Sequence, residues 1–189
     1  MTIPTMKFDQ QRVETAVAMM LDSMGFDVGD EAIRGTPDRV ARAMGEMLAG
    51  YSVDIAKLLS TTFDDPHDEI VMLRDIPFHS LCEHHLQNFS GTATVAYIPS
   101  RRVVGLSKLA RLVEAHARRL QLQERMTRGI AEDIDRHLNP IGVGVIVKGQ
   151  HMCMCARGVN KPGATMVTSA MLGAFRDKPE ARAELMAML

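Results

Sequence analysis

Val143-Gly144-Val145-Ile146-Val147-Lys148 is the stretch that decides the fold. Valines at 143, 145 and 147 alternate with Gly144, Ile146 and Lys148, and a period of two turns successive side chains to opposite faces of a strand. Working back from it, Asn139-Pro140 is a helix stop. It closes a helix that carries Met126, Ile130, Ile134 and Leu138 at helical intervals. A second helix begins near Ser107 and carries Leu109, Leu112, Val113, His116 and Leu120. Before both lies Thr92 to Ile98, rich in strand formers and closed by Pro99, and before that the short apolar run Ile70 to Leu73. Working forward, Ala164 to Leu172 reads as a further strand and Pro179 to Leu189 as a last helix. Two strands, two helices and two strands predict an α+β fold, with an antiparallel sheet and helices on one face.

Ahead of this body the chain reads as a helical arm. Val13, Val17, Met20, Leu21 and Met24 share a helix face, with Gly25 as the stop. Thr36-Pro37 predicts an N-cap and first turn, opening a helix with Val40, Ala43, Met44, Met47 and Leu48 on one side and ending by Gly50. Thr61 to Glu69 is polar and reads as a connector. The division expected is an arm over 1–66 and an α+β domain over 67–189.

Twenty-two Lys and Arg against 23 Asp and Glu give a formal net charge of -1 in 189 residues. That balance argues against a nucleic-acid or anionic-membrane binder, whose affinity needs a cationic surplus. No apolar run reaches membrane-spanning length, and Met1 to Gln10 carries no apolar signal stretch, so the cytoplasm is the expected address.

Three cysteines, 82, 153 and 155, form a poor disulfide framework and a better metal or reactive-thiol set. In Cys82-Glu83-His84-His85, a helical turn would aim Cys82 and His85 from the same side, half of a tetrahedral zinc site. His151-Met152-Cys153-Met154-Cys155 continues the valine strand, and period two would put His151, Cys153 and Cys155 on one face. Two thiolates and one imidazole leave a fourth position for water, the catalytic arrangement; Cys155 as a fourth ligand would close the site and make it structural. Buried free cysteine and surface histidine are the plain alternatives. His84 and His151 add two imidazoles suited to proton transfer near neutral pH.

Gly105-Leu106-Ser107-Lys108 sits where a loop enters a helix. Ser107 as cap, the first-turn amides and the Lys108 ammonium would hold a phosphate, with Arg111 one turn on and Arg157 beyond the His-Met-Cys segment. A solvated helix face explains Lys108 and Arg111 equally. Gln123-Glu124 opens the next helix, either as an acidic first turn favoured by the helix dipole or as a carboxylate that accepts paired donors from a purine edge.

Together these segments resemble the type I, zinc-dependent GTP cyclohydrolases. The likeness rests on Ser80-Leu81-Cys82-Glu83-His84-His85, Val95-Ala96-Tyr97-Ile98-Pro99, Gly105-Leu106-Ser107-Lys108, Gln121-Leu122-Gln123-Glu124-Arg125 and His151-Met152-Cys153 running into Ala156-Arg157-Gly158. It covers the chain from about Thr36 onward. By that resemblance the fold is the tunnelling fold behind the helical arm, and Cys82, His85 and Cys153 hold zinc. His84 and His151 work beside the metal, while Ser107, Lys108, Arg111, Arg157 and Arg39 surround the triphosphate and Gln123 and Glu124 face the guanine. The resemblance also implies GTP as substrate, formate and dihydroneopterin triphosphate as products, and a homodecamer with sites between subunits. Asn88 stands where many relatives carry proline, and Cys155 is an added thiol. Two rivals stay open: a structural-zinc binding module, and a pterin or deazapurine enzyme of the same fold that stops at a ring-opened product.

Overall fold

The computed structural model describes residues 7–189; residues 1–6 of the expected arm, and of the Met1 to Gln10 segment, lie outside it. In chain order the elements are α1 (Gln10–Ser23), α2 (Thr36–Met47), a 3-10 turn (Ala49–Ser52), α3 (Ile55–Leu59), β1 (Thr62–Asp64), β2 (Val71–Cys82), β3 (Asn88–Ile98) and β4 (Arg102–Val104). There follow α4 (Leu106–Ala117), β5 (Leu120–Gln121), α5 (Gln123–Leu138), β6 (Gly142–His151), α6 (Met152–Cys155), β7 (Met166–Gly173), α7 (Ala174–Asp177) and α8 (Pro179–Ala187).

The main sheet has the order β5-β2-β3-β6-β7, antiparallel except for the short β5, which runs parallel to β2. Leaving that two-residue strand aside, β2, β3, α4, α5, β6 and β7 follow the order of the tunnelling fold, an α+β arrangement. The alternation at the centre explains the layers. Val95 pairs with Val145 and Tyr97 with Val143, and these side chains pack with Leu109, Leu112, Val113, Met126, Ile130 and Ile134 of the two long helices. The intervening residues Ala96 and Ile146 face the other way, onto Met171, Phe175 and Leu185. Helices therefore cover both faces, not one: α4 and α5 the first, the α7–α8 segment part of the second. Gly144 makes the second layer possible, because an added Cβ would fall 2.6 Å from Leu185 Cδ2.

Other expectations shift in detail. β2 runs on past Leu73 to Cys82, through a register shift at Arg74 and Asp75, where Asp75 has φ 55°. Thr61 to Glu69 is not only a connector, since Thr62–Asp64 pairs with Arg102–Val104. Leu120 leaves its helix, which ends at Ala117, and joins β5. Gly35, not Thr36, occupies the cap of α2, and Gly105, not Ser107, that of α4. Asn139 does stop α5, in the left-handed region at φ 47°.

Candidate active site

Cys82 is the last residue of β2, buried, and its turn is fastened at both ends. Cys82 N donates to Gln87 O at 2.9 Å and Glu83 N to Gln121 O at 3.1 Å, while Leu86 N returns to Cys82 O at 2.9 Å. The turn carries His85 back toward the thiol, with Cys82 Sγ and His85 Nδ1 3.9 Å apart. Glu83, between them, takes both guanidinium nitrogens of Arg125 at 2.5 and 2.9 Å, which ties the turn to the first turn of α5. The Arg125 hydrogen bond holds the Glu83 carboxyl below its ordinary range.

The third donor arrives from the opposite end of the chain. β6 lies beside β3 in a register that sets His151 opposite Phe89, and the backbone then coils into the short α6. Coiling corrects the strand expectation: His151, Cys153 and Cys155 do not share a face. Cys153 comes to the Cys82 turn, and the ligand atoms of Cys82, His85 and Cys153 all lie within 4.8 Å of one another. Around a tetrahedral zinc the same atoms would stand about 3.5–3.8 Å apart, so a small contraction closes the set. Two sulfurs and an imidazole are donors zinc accepts, and the set leaves a fourth direction open. Burial, followed by the neighbouring Cys82, pushes the Cys153 thiol up in the chain by itself. Cys155 is buried elsewhere, its Sγ 3.5 Å from Lys161 O.

Beside these donors opens a cleft of about 270 Å³, lined by His84, Gln123, Glu124, His151, Met154 and Met166 among others. His84 is exposed at its edge, its ring 6.2 Å from that of His85. His151 stacks on Phe89 with centroids 4.4 Å apart and planes 5° from parallel, and its Nε2 lies 3.0 Å from Gln123 Oε1. Burial lowers the His151 pKa, and the nearby Glu124 carboxylate opposes that. Glu124 stands exposed in the first turn of α5. Gln123 is buried, and its amide is engaged by the chain itself.

Of the anion candidates only Arg157 comes near this cleft within one chain, close enough for its charge to act on Cys153. Ser107 and Lys108 begin α4, whose far end leads into β5 beside Cys82; at 1.5 Å per residue that is roughly 16 Å of helix. Arg111 borders a separate cavity with Gly50, Glu114 and Arg118. Among the described residues Arg39 bonds Thr36 Oγ1 at 3.2 Å, and Arg157 stands exposed in the loop after α6. The sequence reading passed over Phe89, Arg125 as partner of Glu83, and Thr168. Only Phe89 left a signal, as an aromatic four residues beyond His85 in a strand that leads away from the metal turn.

The chain matches the GTP cyclohydrolase I family over residues 13–189. It is 48% identical to the GTP cyclohydrolase 1 of Mycolicibacterium vanbaalenii over 190 residues, covering 100% of this chain and 94% of that one. It is 49% identical to the GTP cyclohydrolase 1 of Pelotomaculum thermopropionicum over 183 residues, 96% and 97% of the two chains. Among solved structures, the apo form of the archaeosine synthase QueF-Like aligns with a TM-score of 0.44 and 23% identity, over 55% of this chain and 93% of that one.

Proposed function

The chain belongs to the GTP cyclohydrolase I family and is a hydrolase acting on GTP, and we propose that it opens the guanine imidazole ring at the Cys82, His85 and Cys153 centre, releases formate and closes the product to dihydroneopterin triphosphate. The observation that carries this reading is the convergence of those three donors beside His151 and Glu124 at one cleft. Zinc is the metal these donors suit, and held there it would lower the pKa of a coordinated water so that hydroxide is available at neutral pH.

The chain's own groups do the rest. His151 delivers a proton to guanine N7, which makes C8 electron-poor. His84, at the cleft edge, assists proton transfer as the ring opens. Glu124, in the first turn of α5, accepts hydrogen bonds from the purine edge. Gln123 stands beside Glu124 on the base side, with its amide turned to the chain's own groups. Ser107, Lys108, Arg111, Arg157 and Arg39 serve as handles for the triphosphate, which stays intact. The distance of Ser107 and Lys108 from the cleft along α4 supports a site shared between subunits, as in a homodecamer. Met19, Met20, Met24 and Phe26, exposed on and just beyond α1, form the kind of surface a second copy would cover.

Residues 1–66 serve in this reading as the arm and 67–189 as the catalytic domain. No described helix is long and apolar enough to cross a membrane, and we place the enzyme in the cytoplasm. The test is incubation of zinc-loaded protein with GTP. One formate per GTP, a pterin-like ultraviolet spectrum and no phosphate release are expected. Ring opening without a pterin would point to the enzyme that stops early, and no formate from protein holding one zinc per chain to a binding module.

A further inference from the structure

The two N–H groups of the Gln123 amide are shared among three acceptors of the chain, and its oxygen meets a fourth partner. Nε2 lies 3.1 Å from Val147 O, 3.1 Å from Met166 O and 3.1 Å from Thr168 Oγ1. Backbone carbonyls only accept, so the end of the amide that meets two of them is the NH2 group. The hydroxyls agree. Thr127 Oγ1 donates to Gln123 O at 2.7 Å, so its contact with Thr168 Oγ1 at 2.6 Å is donated by Thr168, whose oxygen is then free to accept from the Gln123 amide. Donation runs one way around this small ring, and each bond strengthens the next.

With NH2 fixed, the opposite end is fixed too. Oε1 faces His151 Nε2 at 3.0 Å and can only accept. A hydrogen bond there needs the proton on Nε2, and a neutral imidazole has one N–H, so Nδ1 keeps its lone pair. Phe89 stacks on the ring face and holds its plane. Gly149 leaves the room, since an added Cβ would fall 2.4 Å from Gln123 Oε1.

We propose that Gln123 is a positioning residue that holds His151 in the Nε2–H tautomer and so assigns the transferable proton to Nδ1. The inference deepens, and rests on, the reading of His151 as the proton carrier. When His151 is charged, both nitrogens carry protons; the Nδ1 proton passes to the substrate nitrogen, the Nε2 proton stays with Gln123, and neutral imidazole remains. Only one N–H bond breaks and one forms. The Gln123 amide then contributes to turnover through the histidine it orients and little to holding GTP.

Solid-state nitrogen spectra of zinc-loaded, 15N-histidine protein at pH 8, without substrate, test this directly, with His151 assigned by its loss in His151→Ala. A protonated Nε2 and an unprotonated Nδ1 are expected. The reverse tautomer overturns the proposal whether or not the protein turns over GTP, so this result stands apart from the enzymatic reading. In Gln123→Met the tautomers should mix and kcat should fall roughly 10- to 100-fold, with KM changed by less than about threefold. Gly149→Ala, which reaches the same oxygen while leaving the amide in place, should give the same pattern. Unchanged kcat with raised KM in Gln123→Met would make the amide a substrate contact and overturn the assignment.

Discussion

Cys155 lies two residues beyond Cys153, yet the helical coil of Met152–Cys155 swings its sulfur away to Lys161 O. It follows that Cys155→Ala keeps one metal per chain and most of the activity. Cys82→Ser should lose the metal on gel filtration and retain below about 1% of activity, since a hydroxyl is a far poorer ligand than a thiolate. Metal analysis of the two variants side by side checks both, and metal loss from Cys155→Ala would return that thiol to the donor set. The donor types were readable in the sequence because soft ligands are rare in this chain. Their meeting was not, because Cys82 ends β2 and Cys153 follows β6, two strands that only the β2-β3-β6 order sets on either side of β3. The wiring around Gln123 was hidden for a different reason: its main partners are backbone carbonyls on β6 and β7, and no residue type advertises a carbonyl.

Helices α4 and α5 are joined by one buried polar contact, His116 Nε2 to Asp133 Oδ2 at 2.8 Å. Burial holds the His116 pKa below its ordinary 6.5, with Asp133 opposing and the Arg119 charge assisting. The unfolded chain therefore takes a proton near pH 6.5 that the folded chain refuses, and stability falls as pH drops through that value. The loss has a ceiling of about 1.4 kcal/mol per pH unit for one such group. Thermal unfolding from pH 7.5 to 5.5 should show this slope, and His116→Gln should flatten it while lowering stability at pH 7.5 by about 1–3 kcal/mol. An unaltered slope would remove His116 as the source. Elements like these were legible where period was clean: α5 and β6 follow from Met126 to Leu138 and from the valines. Where the backbone departs from period they were not. Arg74 and Asp75 interrupt the register of β2, and β1 and β4 are too short to carry a pattern.

Seen across the molecule, the candidate cleft and the candidate phosphate handles Ser107 and Lys108 sit at opposite ends of α4. If the site is completed by a second chain, inactive Lys108→Ala and inactive His151→Ala subunits, dissociated and reassembled together, should regain about a quarter of the unsubstituted activity, since chance pairing joins two intact contributions that often. A mixture that stays inactive would place both residues in the site of a single chain. The fastened Cys82 turn has a consequence for how the protein is made. During synthesis Cys82 and His85 emerge with the first hairpin, and most of the sheet must be threaded before Cys153 follows. A nascent chain thus offers a two-pronged, leaky grip on an ion, and full affinity arrives only when β6 has zipped onto β3. Metal loading would come late in biogenesis, as a seal on an assembled sheet. Starving the cell of zinc during translation should then leave apo chains that are already folded and can be charged afterwards.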